Sequence, residues 1–513
     1  MTLHTIEWHT IPVNRTEERE WPRMNANYKM FVGGNWVEAD GGKRFDSDNP
    51  FTGRSWASIP HGTTADVDAA VAAAKSALTT GDWPAMSASQ RGALLRKLGD
   101  LIVEEADRLA EIETRDNGKL LNETSLQIRY TAQFYYYYGG MADKIEGAVI
   151  PVEKPNIHNY TRLEPIGVVA VITPWNSPLL IAAGKIGAAL AAGCTVVVKP
   201  SEFTSASTLA LAELFERAGF PKGVLNVISG FGHEIGDYFV GHPDVGCVAF
   251  TGGTSTGQRI NEVAAKTFKK TVLELGGKSP NIIFEDADLD NAILGAVSGI
   301  FAASGQSCVA GSRLLVQRSI HDQVVERLVD FAKSIKLGDP MAPDTHMGPI
   351  ATRPQYERVL SYFDIARSDG AECVVGGTPL DGDGQFVQPT IYTGVKNDMR
   401  IAQEEIFGPL LSIIPFDDDD HALSIANDTL YGLASGVWTQ NMQRAFRFSH
   451  ALQAGQVWVN MYRAASYMTP LGGYKRSGLG SENGKDHVYD YLHKKAVWMN
   501  YGEDAPQPFV QKL

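Results

Sequence analysis

A cysteine in a stretch of small residues is the first candidate for chemistry in this chain. Cys308 lies within residues 305–313, where glycines on both sides allow a substrate to come close to the backbone. Upstream, Glu274 lies among apolar residues and glycines within residues 273–280, and such surroundings favour a raised pKa and general-base work. A nucleophilic thiol and a base together predict covalent chemistry on a carbonyl group.

Size and charge limit the functions to consider. The chain has 513 residues, of which 44% are hydrophobic and 20% are charged. This composition is typical of a globular protein with large cores, and the length indicates roughly two to four domains. The net charge of −13 argues against a nucleic-acid partner, since such partners bind positively charged surfaces.

Cysteine spacing and apolar runs exclude further classes. The cysteines are Cys194, Cys247, Cys308 and Cys373. They are far apart and form no C-x-x-C pair, so we expect neither a metal site nor a disulfide framework. Residues 1–28 lack the features of a targeting peptide, and polar residues and glycines interrupt the longest apolar stretch, 179–198. We therefore expect a cytoplasmic enzyme that does not enter a membrane.

Strand-like and helix-like segments alternate from residue 168 onward. The predicted strands are 168–172, 195–198, 224–228, 245–250 and 271–275, with helices from 178 and over 205–218, 233–240 and 254–265. Short apolar strands separated by helices predict a parallel sheet covered on both faces, which is a doubly wound α/β pattern that binds nucleotides. Helices over 64–78 and 87–117 precede it, and a second alternating region over 279–455 includes strands at 281–284, 313–317 and 411–415.

Two short runs of one residue type have competing interpretations. The four aspartates 417–420 are expected to form a solvated loop rather than a metal site. The four tyrosines 135–138 fit a pocket lining and the packing of an interface equally well.

The signal for a dinucleotide is indirect, because the usual G-x-G-x-x-G fingerprint is absent. Residues 230–236 come closest, but their last glycine is one position late. Gly252, Gly253 and Gly257 lie between a strand and a helix, where free N–H groups suit a pyrophosphate, although a plain tight turn fits equally well. Glu202 follows the earlier, valine-rich strand 195–198. Its carboxylate suits the ribose hydroxyls of NAD, and a helix N-terminal carboxylate is the alternative.

Taken together, the motifs resemble those of the aldehyde dehydrogenase superfamily, of the hydrolytic type that does not use coenzyme A. The matching segments, in family order, are 173–178, 199–202, 250–257, 273–280, 305–313, 403–409 and 470–478. The resemblance extends over about residues 30–500. It implies a Rossmann-type parallel-sheet cofactor domain, an α/β catalytic domain and a small β element for oligomerisation, and hence a homodimer or homotetramer.

The resemblance also implies domain boundaries. The NAD-binding domain would comprise 25–142 and 166–276, and the catalytic domain 277–480. The oligomerisation element would join 143–165 to 487–501, leaving terminal extensions at 1–24 and 502–513.

The resemblance assigns the catalytic roles. The Cys308 thiolate would attack the aldehyde, and the Asn176 amide with the Cys308 backbone N–H would hold the oxyanion. After hydride transfer to the cofactor, Glu274 would activate water to hydrolyse the thioester. Lys185 and Glu482 match a proton exit route from this base, and a plain ion pair is the alternative.

Ten further residues match positions that bind the cofactor. They are Thr173, Trp175, Lys199, Ser201, Glu202, Gly252, Gly253, Gly257, Glu405 and Phe407. Glu405 would hold the nicotinamide ribose, with Phe407 beside the ring. The Glu202 carboxylate would repel the extra phosphate of NADP and so favour NAD. The neighbouring Lys199 and Ser201 would weaken this preference, so that NADP is a second possible cofactor.

Small residues in the substrate region indicate a polar or functionalised small-molecule aldehyde, of which a semialdehyde is one example. Ser177 and Gly184 occupy positions where many relatives carry bulky aromatic residues. Arg463 and Tyr467, in the loop before Pro470, are the candidates for substrate contact, although an exposed loop arginine is the slightly favoured explanation of Arg463. The rival functions are a cysteine-dependent esterase or thioesterase without redox chemistry, and a non-catalytic binding protein on the same fold.

Overall fold

The computed structural model describes residues 26–502 and residue 509. The predicted extension 1–24 and most of the extension 502–513 lie outside the described residues. None of the helices between residues 26 and 502 has the length and apolar character that a membrane span requires.

The first of two large sheets has eight strands. In spatial order they are Gly478–Leu479, Lys270–Glu274, Val245–Thr251, Val168–Ile172, Thr195–Lys199, Leu225–Val227, Met30–Val32 and Asn35–Val37. The strands from Lys270–Glu274 to Leu225–Val227 are parallel, and the other pairings are antiparallel. Their nearly continuous Val, Ala and Ile residues are buried from both faces, so the predicted parallel sheet is confirmed.

Helices connect the parallel strands, as predicted. They are Pro178–Ala191, Ala206–Ala218, Gly232–Gly241 and Thr254–Ala265. Pro178 is the first residue of its helix and Gly219 ends another in the left-handed conformation, which are the usual positions of these two residues. The functional segments 173–177, 199–202 and 252–253 all follow the carboxyl ends of strands, where ligands bind in sheets of this kind.

The region before residue 168 differs from the prediction in three ways. A small sheet of Ala26–Asn27, Arg54–Pro60 and Arg44–Asn49 was not predicted, and neither was the helix Leu121–Met141. The single helix predicted over 87–117 is wrong. It is two helices, Ala88–Glu104 and Ala106–Asn117, because the backbone of Glu105 leaves helical geometry at φ −95° and ψ 11°.

The remaining helices before residue 168 are Thr64–Thr79, Asp82–Ala85 and the short 3₁₀ turn Ala142–Lys144. The tyrosine run lies on Leu121–Met141. Tyr135 and Tyr138 are completely buried in the core, whereas Tyr136 and Tyr137 are partly exposed. The four rings therefore do not act together as a pocket lining.

The second large sheet has seven strands. In order they are Glu372–Val375, Thr390–Thr393, Leu410–Phe416, Arg313–Gln317, Pro280–Ile283, Ala434–Trp438 and Gln456–Val459. Only the pairing of the first two is antiparallel. Its helices are Leu289–Phe301, His321–Ser334, Arg353–Asp369, Arg400–Gln403, Asp419–Asn427 and Met442–Ala451, with 3₁₀ turns Ala302–Gly305 and Arg318–Ile320.

The aspartate run is largely exposed, as predicted, but its second half begins a helix instead of forming a loop. Asp418 caps the helix Asp419–Asn427, accepting a hydrogen bond from the N–H of His421, because a carboxylate there satisfies a free helix N–H group. The neighbouring Asp417 and Asp419 pair with Arg318 and Arg444. Within the described part of the chain, no group of three or more histidine, cysteine, aspartate or glutamate side chains is suited to a metal ion.

A third sheet joins the middle of the chain to its end. Ile157–Pro165 pairs antiparallel with Leu492–Asn500 over nine residues and also with Val149–Ile150. A 3₁₀ turn, Asp486–Tyr491, leads into this sheet, and a two-stranded pairing joins Tyr431–Gly432 to Tyr474–Lys475. Val149 and Trp498 leave more than half of their side-chain surface exposed on the third sheet.

Candidate active site

A tight turn presents Cys308. Ala303 and Ser304 both adopt the left-handed conformation, at φ 52° and 55°. At Gly305, φ is 71° and a Cβ atom would lie 2.1 Å from the carbonyl oxygen of Gly408, so only glycine fits there without displacing backbone. The turn directs the chain into the second sheet, and Cys308 is left as a free, half-buried thiol.

Gln306 fixes this turn and connects it to Asn176. Its side-chain oxygen accepts a hydrogen bond from the N–H of Ala351 at 2.8 Å, and its amide donates to the carbonyl of Ala303 at 3.3 Å. Its backbone carbonyl accepts a hydrogen bond from Nδ2 of Asn176 at 3.0 Å. The amide of Asn176 is therefore held beside the cysteine loop, where it can donate to an oxygen on the substrate.

Glu274 ends the strand Lys270–Glu274 and is almost completely buried. Its Oε1 has no hydrogen-bond partner among the described residues. Burial raises the pKa of Glu274 well above its ordinary value, the nearby Glu482 carboxylate raises it further, and the Lys185 ammonium opposes this effect. A buried carboxylate with a free oxygen and a raised pKa has the properties of a general base.

Lys185 and Glu482 contact each other near Glu274. The ammonium of Lys185 contacts the Glu482 carboxylate and donates to Oγ1 of Thr251 at 2.7 Å. Lys185 is completely buried and Glu482 nearly so. The two predicted residues are thus an ion pair within electrostatic range of Glu274.

The thiol of Cys308 is held in its neutral form. Burial raises the pKa of Cys308 to about 12, with further contributions from the negative charges of Glu274 and Glu405. Since the thiolate is the nucleophile, a base has to take the thiol proton at neutral pH.

The start of the helix Thr254–Ala265 fits a diphosphate. Gly253 precedes the helix and no side chain caps it, so the first N–H groups are free to bind an anion. A Cβ atom on Gly253 would meet nothing within 4 Å, whereas one on Gly257 would lie 2.3 Å from the Leu275 side chain. Gly253 thus leaves space for a diphosphate to approach the N-terminus of the helix. Gly257 allows the helix to pack closely against Leu275.

Two other groups of predicted cofactor residues lie at the ends of the strands Val168–Ile172 and Thr195–Lys199. The Nζ of Lys199 lies 3.6 Å from a carboxylate oxygen of Glu202, and the Oγ of Ser201 accepts a hydrogen bond from the N–H of Phe203 at 3.4 Å. Thr173 is buried, and its hydroxyl has no partner among the residues that the structure describes. These side chains cluster at the carboxyl ends of adjacent strands.

The last group comes from the segment that precedes the strand Leu410–Phe416 of the second large sheet. Glu405 accepts a hydrogen bond from the N–H of Gly277 at 3.0 Å, and burial raises the pKa of its carboxyl to about 7. The ring of Phe407 contacts that of Trp175 edge-on, with centroids 5.2 Å apart. Two predicted residues from distant parts of the sequence therefore meet at one site.

The three predicted substrate residues each contact other parts of the protein. The Oγ of Ser177 accepts a hydrogen bond from Nζ of Lys119. Arg463, in the left-handed conformation, donates to the carbonyl of Ser298 at 3.0 Å. Tyr467 packs against the rings of Tyr130, Phe134 and Tyr137.

Sequence reasoning missed three residues near the site: Lys119, Glu123 and Gln127. Lys119 follows Gly118, which ends a helix, and lysines after such glycines are usually solvated, so no signal distinguished it. Glu123 accepts a hydrogen bond from the N–H of Ala303 at 3.0 Å and so supports the cysteine turn. It lies on the helix that was not predicted.

Comparison with known proteins agrees with this geometry. The model of the aldehyde dehydrogenase family matches residues 36–497. The chain is 46% identical over 488 residues to the (Z)-2-((N-methylformamido)methylene)-5-hydroxybutyrolactone dehydrogenase of Acinetobacter baylyi, covering 94% of this chain and 99% of that protein. It is 46% identical over 475 residues to an aldehyde dehydrogenase of Aspergillus niger, covering 92% and 95% of the two chains.

Solved structures give the same result. An NAD⁺ complex of an aldehyde dehydrogenase from Bacillus cereus superposes with a TM-score of 0.92 at 46% identity, covering 94% of this chain and 98% of that one. A betaine aldehyde dehydrogenase from Staphylococcus aureus in complex with NAD⁺ gives a TM-score of 0.93 at 40% identity, covering 94% and 97%.

Proposed function

The chain belongs to the aldehyde dehydrogenase family, and on that basis we propose that Cys308, Asn176 and Glu274 carry out its reaction. The reaction is the oxidation of an aldehyde to a carboxylic acid, and NAD is the cofactor. The observation that carries the assignment of residues is the buried Glu274 carboxylate, whose free oxygen lies within electrostatic range of Cys308.

In the first step, the Cys308 sulfur forms a bond to the aldehyde carbon after its proton has been taken by a base. The carbonyl electron pair moves to oxygen, and the Asn176 amide and the Cys308 backbone N–H donate to that oxyanion. NAD held by the residues around Glu405 and Phe407 would supply the acceptor for the hydride that leaves the substrate carbon. The product on the enzyme is a thioester of Cys308.

In the second step, Glu274 takes a proton from a water molecule, whose oxygen bonds to the thioester carbon. The carbon–sulfur bond breaks, the acid leaves and the thiol is restored. The ion pair of Lys185 and Glu482 is suited to relay the Glu274 proton toward solvent, since it adjoins the base. An enzyme that passes the acyl group to another thiol would have no use for this base.

The residues that hold NAD are proposed from the same site. Gly252, Gly253 and Gly257 would accommodate the diphosphate, and Lys199 and Glu202 the adenosine ribose, with Ser201 and Thr173 nearby. Glu405 would bind the nicotinamide ribose, with Trp175 and Phe407 packing beside the ring. The open helix N-terminus and the free Thr173 hydroxyl support this arrangement.

We propose the domain boundaries expected from the resemblance: 25–142 and 166–276 for NAD, 277–480 for catalysis, and 143–165 with 487–501 for assembly. The exposed Val149 and Trp498 on the third sheet support a homodimer or homotetramer, because large apolar side chains there would be covered by a second copy. Four free cysteines support a reducing compartment such as the cytoplasm.

The proposed substrate is a polar or functionalised aldehyde. Ser177 and Gly184 are small where many relatives carry bulky aromatic side chains, and Arg463 and Tyr467 belong to the loop before Pro470. Succinic semialdehyde should be oxidised with a higher kcat/KM than butanal, and Arg463→Ala should reduce the difference. Equal values that do not change in Arg463→Ala would contradict this proposal.

The mechanism is tested by following NADH formation by absorbance over a panel of aldehydes. Cys308→Ser should abolish oxidation while leaving NAD binding intact. Glu274→Gln should form about one equivalent of NADH per active site and then stop, because the thioester is not hydrolysed. Continued turnover in Glu274→Gln would contradict the role of this base. Ester hydrolysis without any NAD-dependent oxidation would favour the esterase.

A further inference from the structure

A buried ammonium group lies next to the residue that holds the oxyanion. Lys119 leaves 6% of its surface exposed, and its Nζ donates to Oε1 of Gln127 at 3.0 Å and to Oγ of Ser177. Ser177 directly follows Asn176, whose amide contacts the backbone of Gln306 in the cysteine loop. Lys119 is thus connected to the site of reaction through two consecutive residues.

The charge of Lys119 is incompletely matched. An ammonium has three donors, and the two hydrogen bonds that it makes go to neutral groups. Within residues 26–502, no carboxylate lies within ion-pair distance of its Nζ. Glu123 and Glu113 act on it only from farther away. One oxygen of each accepts a backbone N–H, from Ala303 and Leu179, and the other has no partner among the described residues. Burial accordingly lowers the pKa of Lys119.

A buried cation without a carboxylate partner is unfavourable unless another anion approaches it. The Cys308 sulfur and the Arg463 guanidinium are both within electrostatic range of Lys119. The ammonium of Lys119 therefore lies in the same region as a second cation and the reacting sulfur. Because Ser177 is short, it does not cover the ammonium as a large aromatic side chain at this position would.

We propose that Lys119, oriented by Ser177 and Gln127, binds a carboxylate at the far end of the aldehyde, so that the preferred substrate is an oxo acid. This inference rests on the proposed function and specifies its substrate class. The carboxylate would take the third donor of the ammonium in a charge-assisted hydrogen bond. Its charge would also offset the burial of the cation.

The first test compares kcat/KM for succinic semialdehyde and butanal in the full-length enzyme with NAD. The ratio should fall by about 10- to 100-fold in Lys119→Met, mainly through KM for the semialdehyde. Gln127→Glu keeps the lysine but gives it an internal carboxylate, so it should lower the ratio in the same direction. Lys333→Met, on an exposed helix surface, is the matched control and should keep the parent ratio.

A parent ratio near one, or a ratio that is the same in parent, Lys119→Met and Gln127→Glu, would overturn the proposal. Gln127→Glu serves as an independent variant if Lys119→Met folds poorly. A fall in both variants, with Lys333→Met unchanged, supports it.

The second test does not depend on oxidation. Succinate should slow the alkylation of Cys308 by iodoacetamide in the parent enzyme and have at least about 10-fold weaker effect in Lys119→Met. If no aldehyde is oxidised but succinate protects Cys308, the proposed function fails and the carboxylate site stands. If aldehydes are oxidised but succinate protects neither enzyme, only the carboxylate site fails.

Discussion

The ammonium of Lys185 contacts the carboxylate of Glu482 in the interior of the protein, and both charges lie close enough to act on Glu274. The two charges act on Glu274 in opposite directions. The Glu482 carboxylate raises the pKa of Glu274, whereas the Lys185 ammonium lowers it. Removing one partner at a time should therefore move the titration of the base in opposite directions.

We expect Glu482→Gln to lower the pKa of Glu274 and Lys185→Met to raise it. Glu274 acts as a base only when deprotonated, so activity is lost as pH falls through its pKa. The acid limb of the kcat profile for the parent enzyme should move to lower pH in Glu482→Gln and to higher pH in Lys185→Met. The measurement is kcat against pH with a saturating aldehyde and NAD.

The matched control is Glu372→Gln on an exposed strand edge, which should leave the acid limb unchanged. A shift of both variants in the same direction would contradict the opposed action of the two charges. Thermal unfolding of each variant checks that the buried pair is not needed simply for folding.

The reactivity of Cys308 should depend steeply on pH. Its pKa of about 12 means that the thiolate fraction grows about tenfold per pH unit below that value. Alkylation of Cys308 by iodoacetamide in the enzyme without cofactor should therefore rise throughout the accessible alkaline range without a plateau. The rate is measured in a Cys373→Ser background, because Cys373 is exposed, with Cys308→Ser as the blank. A plateau near neutral pH would contradict the protonated resting thiol.

The parallel sheet could be predicted because its sequence signals are local. The strand Val168–Ile172 is a continuous apolar run, and the helix Thr254–Ala265 starts after two glycines, so both were predicted to the residue. The break at Glu105 could not be predicted, because helix-forming residues continue through it without proline or glycine. The helix Leu121–Met141 was missed for the opposite reason, since its many aromatic residues and two glycines are weak helix formers.

A residue of the site could be predicted only where it belongs to a recognisable sequence motif. Asn176 and Cys308 belong to segments with a family resemblance, but their connection through Gln306 depends on a turn with Ala303 and Ser304 in the left-handed conformation. Neither residue type suggests that conformation. Lys119 could not be predicted for a similar reason. Its burial depends on the packing of a helix from another part of the chain, not on the residues next to it in the sequence.

Asn176 should contribute strongly to the rate. Asn176→Asp keeps the shape of the side chain but replaces the N–H donor with a negative charge that repels the oxyanion. We expect kcat to fall by about 10²- to 10³-fold, as for the loss of one oxyanion donor elsewhere. Steady-state kinetics with NAD and an aldehyde give kcat, and NAD binding by fluorescence should be unchanged. Asn122→Asp, on an exposed helix turn, is the control, and an equal loss in both variants would contradict this role.

Glu202 should determine the choice of cofactor. Its carboxylate lies 3.6 Å from the Lys199 ammonium, and it would repel the extra phosphate of NADP. In Glu202→Gln, the ratio of kcat/KM with NAD to that with NADP should fall by about tenfold or more, mainly because NADP binds better. Glu372→Gln should retain the parent ratio. An unchanged ratio in Glu202→Gln would show that this carboxylate does not face the ribose.

The buried Glu113 should make stability depend on pH in an unusual direction. Burial raises the pKa of Glu113 from 4.5 to about 7 in the folded protein. The folded state therefore keeps a proton that the unfolded state releases, so the stability from this group falls as pH rises from about 4.5 to about 7. Above that range, the penalty from the ionised Glu113 is fully present.

Glu113→Gln should remove this pH dependence. Relative to the parent, the free energy of unfolding of the variant should rise by about 2.5 kcal/mol between about pH 5 and about pH 8, as the difference in pKa requires. Denaturant unfolding at several pH values measures it, with Glu216→Gln on an exposed helix face as the control. If the difference between Glu113→Gln and the parent is constant across this range, the carboxyl group of Glu113 is not protonated in the folded enzyme.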